Sequence, residues 1–372
     1  MSSPDVVVIG GGLHGCATAL HCARAGLRVE VLEREAVGRH ASGVNAGGVR
    51  QLGRHFSEVP LSVLAMQMWR SIGNYVDDDC GFQQSGQIKV AQTEEHMAEN
   101  RDRVAKLRAM GFDHEEVIGP QELRELLPAA AEGLPGALVS HGDGYANPYR
   151  TTTAFRRKAQ SLGVRFHEGR PATGLVRQRG GFRIETAGGA LQASHVVNCS
   201  GAWSGDLCAR MGEAVPLRVI APMMTITAPM PQFVSPVVGY SGAPLSFKQF
   251  ANGTVMVGGG YSGEPDLATG LSRLRYDRLA VNLGTAVELF PIMRHARIVR
   301  QWAGIEGEMP DLIPVIGASS TTEGLLHAFG FSAHGFQLGP VVGLLIADLI
   351  QHGKSRLDLA DFAISRFRMF RT

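Results

Sequence analysis

The chain has 372 residues, 44% of them hydrophobic, which is enough to build two or more packed cores and excludes a globally disordered chain. Lys and Arg number 36 against 34 Asp and Glu, so the formal net charge is +2 and no strong field attracts nucleic acid or an anionic membrane. Partners must therefore be inferred from local sites.

The first residues do not support an expectation of secretion. Residues 1–5 contain no basic residue, and the apolar run Val6–Ile9 is too short for a signal-peptide core. The longest apolar stretch, residues 340–350, contains Asp348 and is far below the roughly 20 residues that cross a bilayer. We expect a cytoplasmic protein with no membrane span.

The cysteines show neither the paired spacing of a metal site nor the density of a disulfide scaffold. We interpret them as reduced core thiols and predict no metal site. They are Cys16, Cys22, Cys80, Cys199 and Cys208.

The first 33 residues predict a βαβ unit, with a strand at 5–9, a helix at 14–25 and a strand at 27–32. Between strand and helix, Gly10-x-Gly12-x-x-Gly15 matches the dinucleotide fingerprint, whose bare backbone lets a pyrophosphate rest at the helix amino terminus. Glu33 follows Gly12 by 21 residues, where a carboxylate accepts hydrogen bonds from ribose hydroxyls. These signals predict a dinucleotide site but do not separate FAD from NAD.

The later elements predict an α/β (α+β) protein in which a mostly antiparallel sheet is inserted into a Rossmann-like framework. Helical periodicity covers 58–75, and a strand-like run covers 191–199. A strand at 325–329, a glycine-rich turn and an apolar helix from about 340 repeat the strand-turn-helix order of the amino-terminal nucleotide-binding unit. The nucleotide-binding domain is predicted at 1–80, 145–214 and 305–372, and the substrate-binding domain at 81–144 and 215–304.

Three further stretches extend the fingerprint with Glu33 and Arg34: residues 42–50 (SGVNAGGVR), 196–204 (VVNCSGAWS) and 330–337 (GFSAHGFQ). Together they resemble the FAD-dependent amino-acid oxidase superfamily, which includes glycine oxidase, D-amino-acid oxidase and sarcosine oxidase. The last stretch is similar to the GFSGHGF run of sarcosine oxidases. The resemblance covers nearly the whole chain and implies a Rossmann-like FAD-binding domain.

The resemblance also implies how the cofactor is held. The glycine-rich turn near Phe331 would point backbone amides at the negative charge of a reduced flavin. Family members that tether flavin through cysteine place it near residues 302–305, where this chain has none, so FAD is expected to be non-covalent. The implied FAD-binding residues are Gly10, Gly12, Leu13, His14, Gly15, Glu33, Arg34, Ser42, Asn45, Ala46, Gly47, Gly48, Ser200, Gly201, Trp203, Gly304, Gly330, Ser332, His334, Gly335, Phe336 and Gln337.

The candidate catalytic residues are Arg50, His334, Glu306 and Tyr261. Arg50 is similar to a carboxylate-binding arginine of sarcosine oxidase, and two parallel hydrogen bonds would orient an amino acid; a surface arginine is the alternative. His334 either touches the flavin edge or bonds a local carbonyl. Tyr261 either lines the substrate side or packs in the sheet.

Two departures from the family affect the expected substrate. Sarcosine oxidase has a lysine where this chain has Gln337, and glycine oxidase has an arginine where it has Glu306. Glu306 would repel a simple carboxylate but suit a cationic or hydroxylated far end of a larger substrate, so Glu306→Gln should change substrate preference. A salt-bridged structural glutamate is the alternative.

A third departure from the family concerns the electron acceptor. The lysine that helps oxygen react in sarcosine oxidase has no counterpart in residues 258–261, and Lys248, one strand earlier, is interpreted as a strand-edge cation. The pattern resembles the β subunits of heteromeric opine, hydroxyproline, proline and sarcosine dehydrogenases, which work with flavin or iron-sulfur subunits. We expect a dehydrogenase of a small secondary amino acid; an oxygen-using oxidase, an NAD enzyme and a non-catalytic flavin scaffold remain alternatives.

Overall fold

The computed structural model describes residues 3–370. The helices are α1 (Leu13–Arg24), α2 (Ala41–Val44), α3 (Val59–Arg70), α4 (Ile72–Val76), α5 (Glu94–Ala109), α6 (Pro120–Leu126), α7 (Pro148–Ser161), α8 (Ser204–Arg210), α9 (Tyr276–Leu289) and α10 (Gly339–His352). Short 3-10 helices cover Phe56–Glu58, Gly201–Trp203, Pro291–His295, Ala360–Phe362 and Ile364–Phe370. The strands are β1 (Val6–Ile9), β2 (Val29–Leu32), β3 (Gly48–Val49), β4 (Gln87–Ala91), β5 (Glu116–Ile118), β6 (Gly136–Ser140), β7 (Gly144–Tyr145), β8 (Arg165–His167), β9 (Gly174–Gln178), β10 (Gly181–Glu185), β11 (Leu191–Ala193), β12 (His195–Asn198), β13 (Arg218–Ile220), β14 (Met223–Thr227), β15 (Val237–Tyr240), β16 (Ser246–Gln249), β17 (Val255–Gly258), β18 (Glu264–Asp266), β19 (Leu271–Arg273), β20 (Ile298–Ala303), β21 (Glu306–Glu308), β22 (Val315–Ala318) and β23 (Leu325–Phe329).

A six-stranded sheet of order β22-β23-β12-β1-β2-β8 forms the first layer. Its strands pair in parallel except β22, which runs antiparallel at one edge. Helix α1 packs against α10 so closely that a Cβ at Gly343 would lie 2.4 Å from the Ala17 carbonyl carbon. The predicted βαβ unit is confirmed as β1-α1-β2.

An eight-stranded sheet of order β20-β14-β17-β16-β15-β4-β6-β5 forms the second layer. Its pairs are antiparallel except β15 with β4, which confirms the mostly antiparallel insert. One face is apolar: Val90, Val238 and Phe247 are buried in a cluster with Leu289 and Phe290, at the end of α9. Gln87, Lys89 and Ser246 on the opposite face line a cavity, whereas Lys248 on that face is buried.

The strands of the six-stranded sheet all lie in the predicted nucleotide-binding ranges, and those of the eight-stranded sheet in the predicted substrate-binding ranges. The domain boundaries themselves stay a prediction. Residues 1–2 and 371–372, the outermost of the predicted domain, lie outside the described residues.

Two predicted elements differ in the structure. The single helix over 58–75 is interrupted at Ser71, whose hydroxyl bonds the carbonyls of Gln67 and Met68 and so competes with the helical pattern. The run at 191–199 is two strands in different sheets, β11 and β12, separated at Ser194. Apolar alternation alone does not show such a change of partner.

Across residues 3–370, none of the helices combines the length and the apolar character that crossing a bilayer requires. The same residues contain no group of three or more His, Cys, Asp or Glu side chains placed to hold a metal ion. Each cysteine is buried and unpaired.

Candidate functional site

A cavity of about 1000 Å³ joins the two sheets. On one side it is lined by residues that follow the carboxyl ends of β1, β2, β12 and β23, which is where open α/β sheets bind ligands. On the other side it is lined by the polar face of the eight-stranded sheet, including Gln87, Lys89 and Ser246. The cavity is at the upper end of the usual size of small-molecule sites.

The fingerprint turn presents unused backbone donors to this cavity. Within residues 3–370, the amides of Gly12 and His14, which line the cavity at the start of α1, have no hydrogen-bond acceptor. A Cβ at Gly12 would come within 2.8 Å of the Ser42 hydroxyl, and one at Gly15 within 1.9 Å of the Gly10 carbonyl oxygen. The bare backbone therefore leaves room for a pyrophosphate at a helix amino terminus.

Glu33 closes the turn from the other side. Its Oε2 accepts a hydrogen bond from the Gly11 amide at 2.7 Å, and its Oε1 accepts one from the Glu35 amide at 2.8 Å. The carboxylate also lines the cavity and retains lone pairs for ribose hydroxyls. Beside it, the Arg34 guanidinium lies 4.6 Å from the Trp203 ring centroid, which forms a flat wall suited to a purine.

The segment 41–48 is held in place by contacts from the second sheet. The Trp302 indole donates to the Val44 carbonyl at 2.8 Å, and the Lys248 ammonium donates to the Ala46 carbonyl. Gly47 adopts a φ of +70°, which favours glycine. The segment predicted to run beside the flavin is thus fixed between the two sheets.

The interpretation of Lys248 as a strand-edge cation is wrong. β16 lies between β15 and β17, and Lys248 is 1% exposed. Burial lowers the pKa of Lys248 to about 7. The side chain lies behind the 41–48 segment and does not line the cavity.

The burial of Lys248 makes the free energy of unfolding depend on pH. Because the folded-state pKa of Lys248 is below its unfolded value, the unfolded chain binds an extra proton between about pH 7 and pH 10.4, so the lysine destabilises the fold most below pH 7. We expect the Tm of Lys248→Met, measured relative to the Tm of wild type, to rise by about 3 °C or more as pH falls from 10 to 6. Thermal scans at both pH values test this, with exposed Lys354→Met as control; a pH-independent difference would contradict it.

The turn at 330–337 leaves unused backbone amides just before α10. Ser332 and Ala333 have φ angles of +53° and +65°. In the described part of the chain, the amides of Gly335, Phe336 and Gln337 have no acceptor, and α10 begins just beyond them. Such amides can stabilise negative charge on a bound ring system.

Arg54 ties this turn to the residues around Arg50. Its guanidinium is 2% exposed and donates to the carbonyls of His334 at 2.7 Å and Arg50 at 3.0 Å, and to the Gln337 side chain at 3.1 Å. Burial lowers the pKa of Arg54 to about 10, which still leaves it charged at neutral pH. Arg54 therefore braces the 330–337 turn against the main chain at Arg50, and it also lines the cavity.

His334 bonds a local carbonyl, as one of the two predicted readings requires. Its Nδ1 lies 2.7 Å from the Ser332 carbonyl oxygen, so Nδ1 carries the proton. Burial, followed by the charges of Arg54 and Arg50, lowers the pKa of His334 well below its usual value. The imidazole is neutral and also lines the cavity.

Arg50 and Glu306 both face the cavity with unused capacity. Arg50 donates to the Leu52 carbonyl at 2.8 Å and, among residues 3–370, has no carboxylate within 4.0 Å, so it is not a surface ion-pair arginine. Glu306 accepts a hydrogen bond from the Ala333 amide at 2.8 Å and has no ion-pair partner in the same residues. Burial raises the pKa of Glu306 to about 7.

Most of the predicted site residues lie at this cavity, although their roles stay predictions. Those that line it are Gly10, Gly12, Leu13, His14, Glu33, Arg34, Ser42, Asn45, Ala46, Gly47, Gly48, Arg50, Ser200, Gly201, Trp203, Gly304, Glu306, Gly330, Ser332, His334, Gly335 and Phe336.

Three predicted residues are not in the cavity wall. Gly15 lies beneath the fingerprint turn, and Gln337 is fully buried against Arg54 and Ser62. Tyr261 also lies outside the wall, and its carbonyl accepts a bond from Met223. The structure gives no support to a catalytic role for Tyr261.

The sequence reading missed Gln87 and Lys89. Both line the cavity from β4, while Ile88 and Val90 between them are buried in the core of the second sheet. The alternation of polar and apolar residues in this strand was the available signal. It indicates two distinct faces but does not say that the polar face meets a cavity.

The chain is similar to known amino-acid oxidases and dehydrogenases over nearly its whole length. The chain is 28% identical to glycine oxidase of Geobacillus kaustophilus over 97% of both chains. It is 28% identical to human mitochondrial sarcosine dehydrogenase over 98% of its own length, but spans only 42% of that protein. The crystal structure of L-proline dehydrogenase from P. horikoshii matches with a TM-score of 0.92 at 25% identity, covering 99% of each chain. The family model described as FAD dependent oxidoreductase matches residues 5–349, and the chain therefore belongs to that family and takes FAD as its cofactor.

Proposed function

We propose that this chain oxidises the carbon–nitrogen bond of a small secondary amino acid and passes the electrons to a carrier other than oxygen. The observation that carries the proposal is Arg50, a guanidinium that has no carboxylate within 4.0 Å among residues 3–370 and faces the same cavity as the fingerprint turn and the 330–337 turn. Relatives named glycine oxidase, sarcosine dehydrogenase and L-proline dehydrogenase support an amine substrate.

The chain's residues divide the work of such a reaction. FAD, when bound non-covalently, supplies the hydride acceptor. Arg50 holds the substrate carboxylate through parallel hydrogen bonds and so orients the α-carbon. The amides of Gly335 and Phe336, which line the cavity, stabilise negative charge on the cofactor, and the neutral His334 adds no charge of its own.

The choice of acceptor rests on the absence of a lysine at 258–261 and on the position of Lys248 behind the 41–48 segment. Lys89 is the lysine that lines the cavity in the described residues, and it lies on the substrate-side sheet. An electron-accepting flavin or iron-sulfur subunit is the partner that this proposal requires.

Anaerobic reduction of the bound flavin tests the proposal. The purified protein is mixed with sarcosine, glycine and the two enantiomers of proline and hydroxyproline while its visible spectrum is recorded. We expect a secondary amino acid to bleach the flavin, and reoxidation by an artificial dye to be much faster than by oxygen. Fast reoxidation by oxygen would identify an oxidase, and a flavin that none of these amines reduces would indicate a scaffold.

Glu306 is proposed to accept the proton of the substrate ammonium, because the amine must be neutral before a hydride can leave. The neighbouring charged group Glu308 raises the pKa of Glu306 further, and the Ala333 amide lowers it. Only the carboxylate form can accept a proton, so flavin reduction should accelerate as pH rises through about 7. Glu306→Gln should slow reduction at pH 7 by about 30-fold and need a higher pH to recover.

Stopped-flow reduction between pH 6 and 9.5 measures this effect across the substrate panel. A decrease in the rate of flavin reduction that is equal for all substrates and disappears at high pH supports the role of Glu306 in proton transfer. A loss confined to substrates with a cationic or hydroxylated far end would instead assign Glu306 to specificity, and unchanged rates and preferences would contradict both roles.

A further inference from the structure

The strand β4 places two polar side chains toward the cavity. Gln87 and Lys89 both line it, whereas the alternate residues Ile88 and Val90 pack into the apolar core of the sheet. Gly239, the neighbour of Lys89 on β15, lines the cavity too and carries no side chain that would cover the lysine. This part of the wall is therefore open to a ligand and polar.

Lys89 is a half-buried cation without a partner. Among residues 3–370 it has no ion pair within 4.0 Å and no hydrogen bond. The acidic groups that act to raise the pKa of Lys89 are Glu99, which is exposed, and Glu115, whose carboxylate is already bonded by Arg103 at 2.7 and 2.8 Å. The ammonium thus lacks the counter-charge that a half-buried lysine ordinarily has.

The positive charge of Arg50 adds to the excess of positive charge around Lys89. Burial and then the positive charge of Arg50 lower the pKa of Lys89, so the two cations are close enough to repel each other. Both line the same cavity, and among residues 3–370 neither has a carboxylate within 4.0 Å, although the more distant carboxylates of Asp143, Glu58 and Glu115 act to raise the pKa of Arg50. Two like charges near one cavity are stabilised together by a ligand with two negative groups.

Gln87 supplies a further polar group at this position. Its side chain is 8% exposed, and its Oε1 atom is buried without a hydrogen-bond partner. An amide without a fixed partner can turn and present its NH2 group to a carboxylate. Glu306, an acidic group of the cavity wall, is on β21, so the wall carries opposite charges for an amine and for carboxylates.

We propose that Lys89 and Gln87 form a second anion subsite, and that the substrate is a secondary amine carrying two carboxylates, one held by Arg50 and the other by Lys89. This inference rests on the proposed amine oxidation. A monocarboxylate would leave Lys89 unpaired, and an unpaired charge is how a site disfavours the wrong ligand.

Matched ligands with one and two carboxylates test the subsite. Sarcosine and N-carboxymethylglycine differ by one carboxylate, and so do their thioether isosteres, methylthioacetate and thiodiacetate, which cannot be oxidised to imines. We expect wild type to bind the dicarboxylate of each pair at least ~30-fold more tightly. Binding is read from the change in the flavin visible spectrum, and turnover from anaerobic reduction.

Variants at Lys89 separate this role from general packing. Lys89→Met should weaken the dicarboxylates by about 30-fold and the monocarboxylates by less than about 3-fold, and Lys89→Arg should restore most of the difference. Exposed Lys354→Met serves as the charge-matched control. Equal weakening of both ligand classes by Lys89→Met, or of neither, would overturn the subsite.

The two proposals can fail separately. If the thioether pair shows the Lys89-dependent difference but no amine reduces the flavin, the proposed reaction is wrong and the subsite stands as a binding site. If amines reduce the flavin but the second carboxylate brings no advantage, the reaction stands and the subsite is wrong.

Discussion

Replacement of Arg50 by methionine should raise the KM for the amino-acid substrate by about 100- to 1000-fold. The substrate carboxylate would enter a cavity in which its charged partner is missing, and the loss of one partner of a hydrogen-bonded charge pair costs about 3–4 kcal/mol. FAD should remain bound, because Arg50 is held by the Leu52 carbonyl and is not part of the fingerprint turn.

Steady-state kinetics with the dye acceptor measure this effect, and flavin content and Tm report integrity. Arg50→Lys should recover part of the loss, since a lysine keeps the charge but not the two parallel bonds. Arg294, which is exposed, provides the control Arg294→Met. An unchanged KM in Arg50→Met would place the carboxylate site elsewhere in the cavity.

Introduction of valine at Gly12 should remove FAD from the protein while the fold survives. Gly12 has a φ of −73°, which other residues adopt readily, and its added Cβ would meet only the Ser42 hydroxyl at 2.8 Å. The side chain would, however, fill the space before the unused amides of α1. We expect the Kd for FAD to rise by at least ~100-fold, because the pyrophosphate loses its close backbone contact.

Absorbance of the purified variant and titration with FAD measure the loss, and circular dichroism of the apoprotein shows whether the fold is kept. Gly284→Ala is the matched control, since Gly284 lies within α9 and a Cβ there would meet nothing within 4 Å. Full FAD occupancy in Gly12→Val would mean that the dinucleotide does not bind at this turn.

The sequence predicted best those features whose signals are contiguous. The β1-α1-β2 unit needs only 33 neighbouring residues, and each of its boundaries has a local cause, such as the turn at Gly10 and the end of α1 before Gly26. The positions of Arg50, Glu306 and the 330–337 turn at one cavity came from resemblance to a family, because no local signal brings such distant stretches together.

The features that could not be predicted depend on what a surface meets. Lys248 and Lys89 occupy similar positions in alternating strands, yet one is covered by the 41–48 segment and the other lines the cavity. Alternation defines the two faces of a strand but not the neighbour of each face. The same limit applies to the run at 191–199, where Ser194 divides strands of two sheets.

The brace at Arg54 has a consequence for how this protein can diversify. A single buried guanidinium joins the main chain at Arg50, the arginine proposed to hold the substrate, to the main chain at His334, in the turn proposed to face the cofactor. The strand bearing Gln87 and Lys89 is outside that linkage. Substitutions in β4 would therefore change the proposed second carboxylate site while leaving both of these Arg54 hydrogen bonds in place.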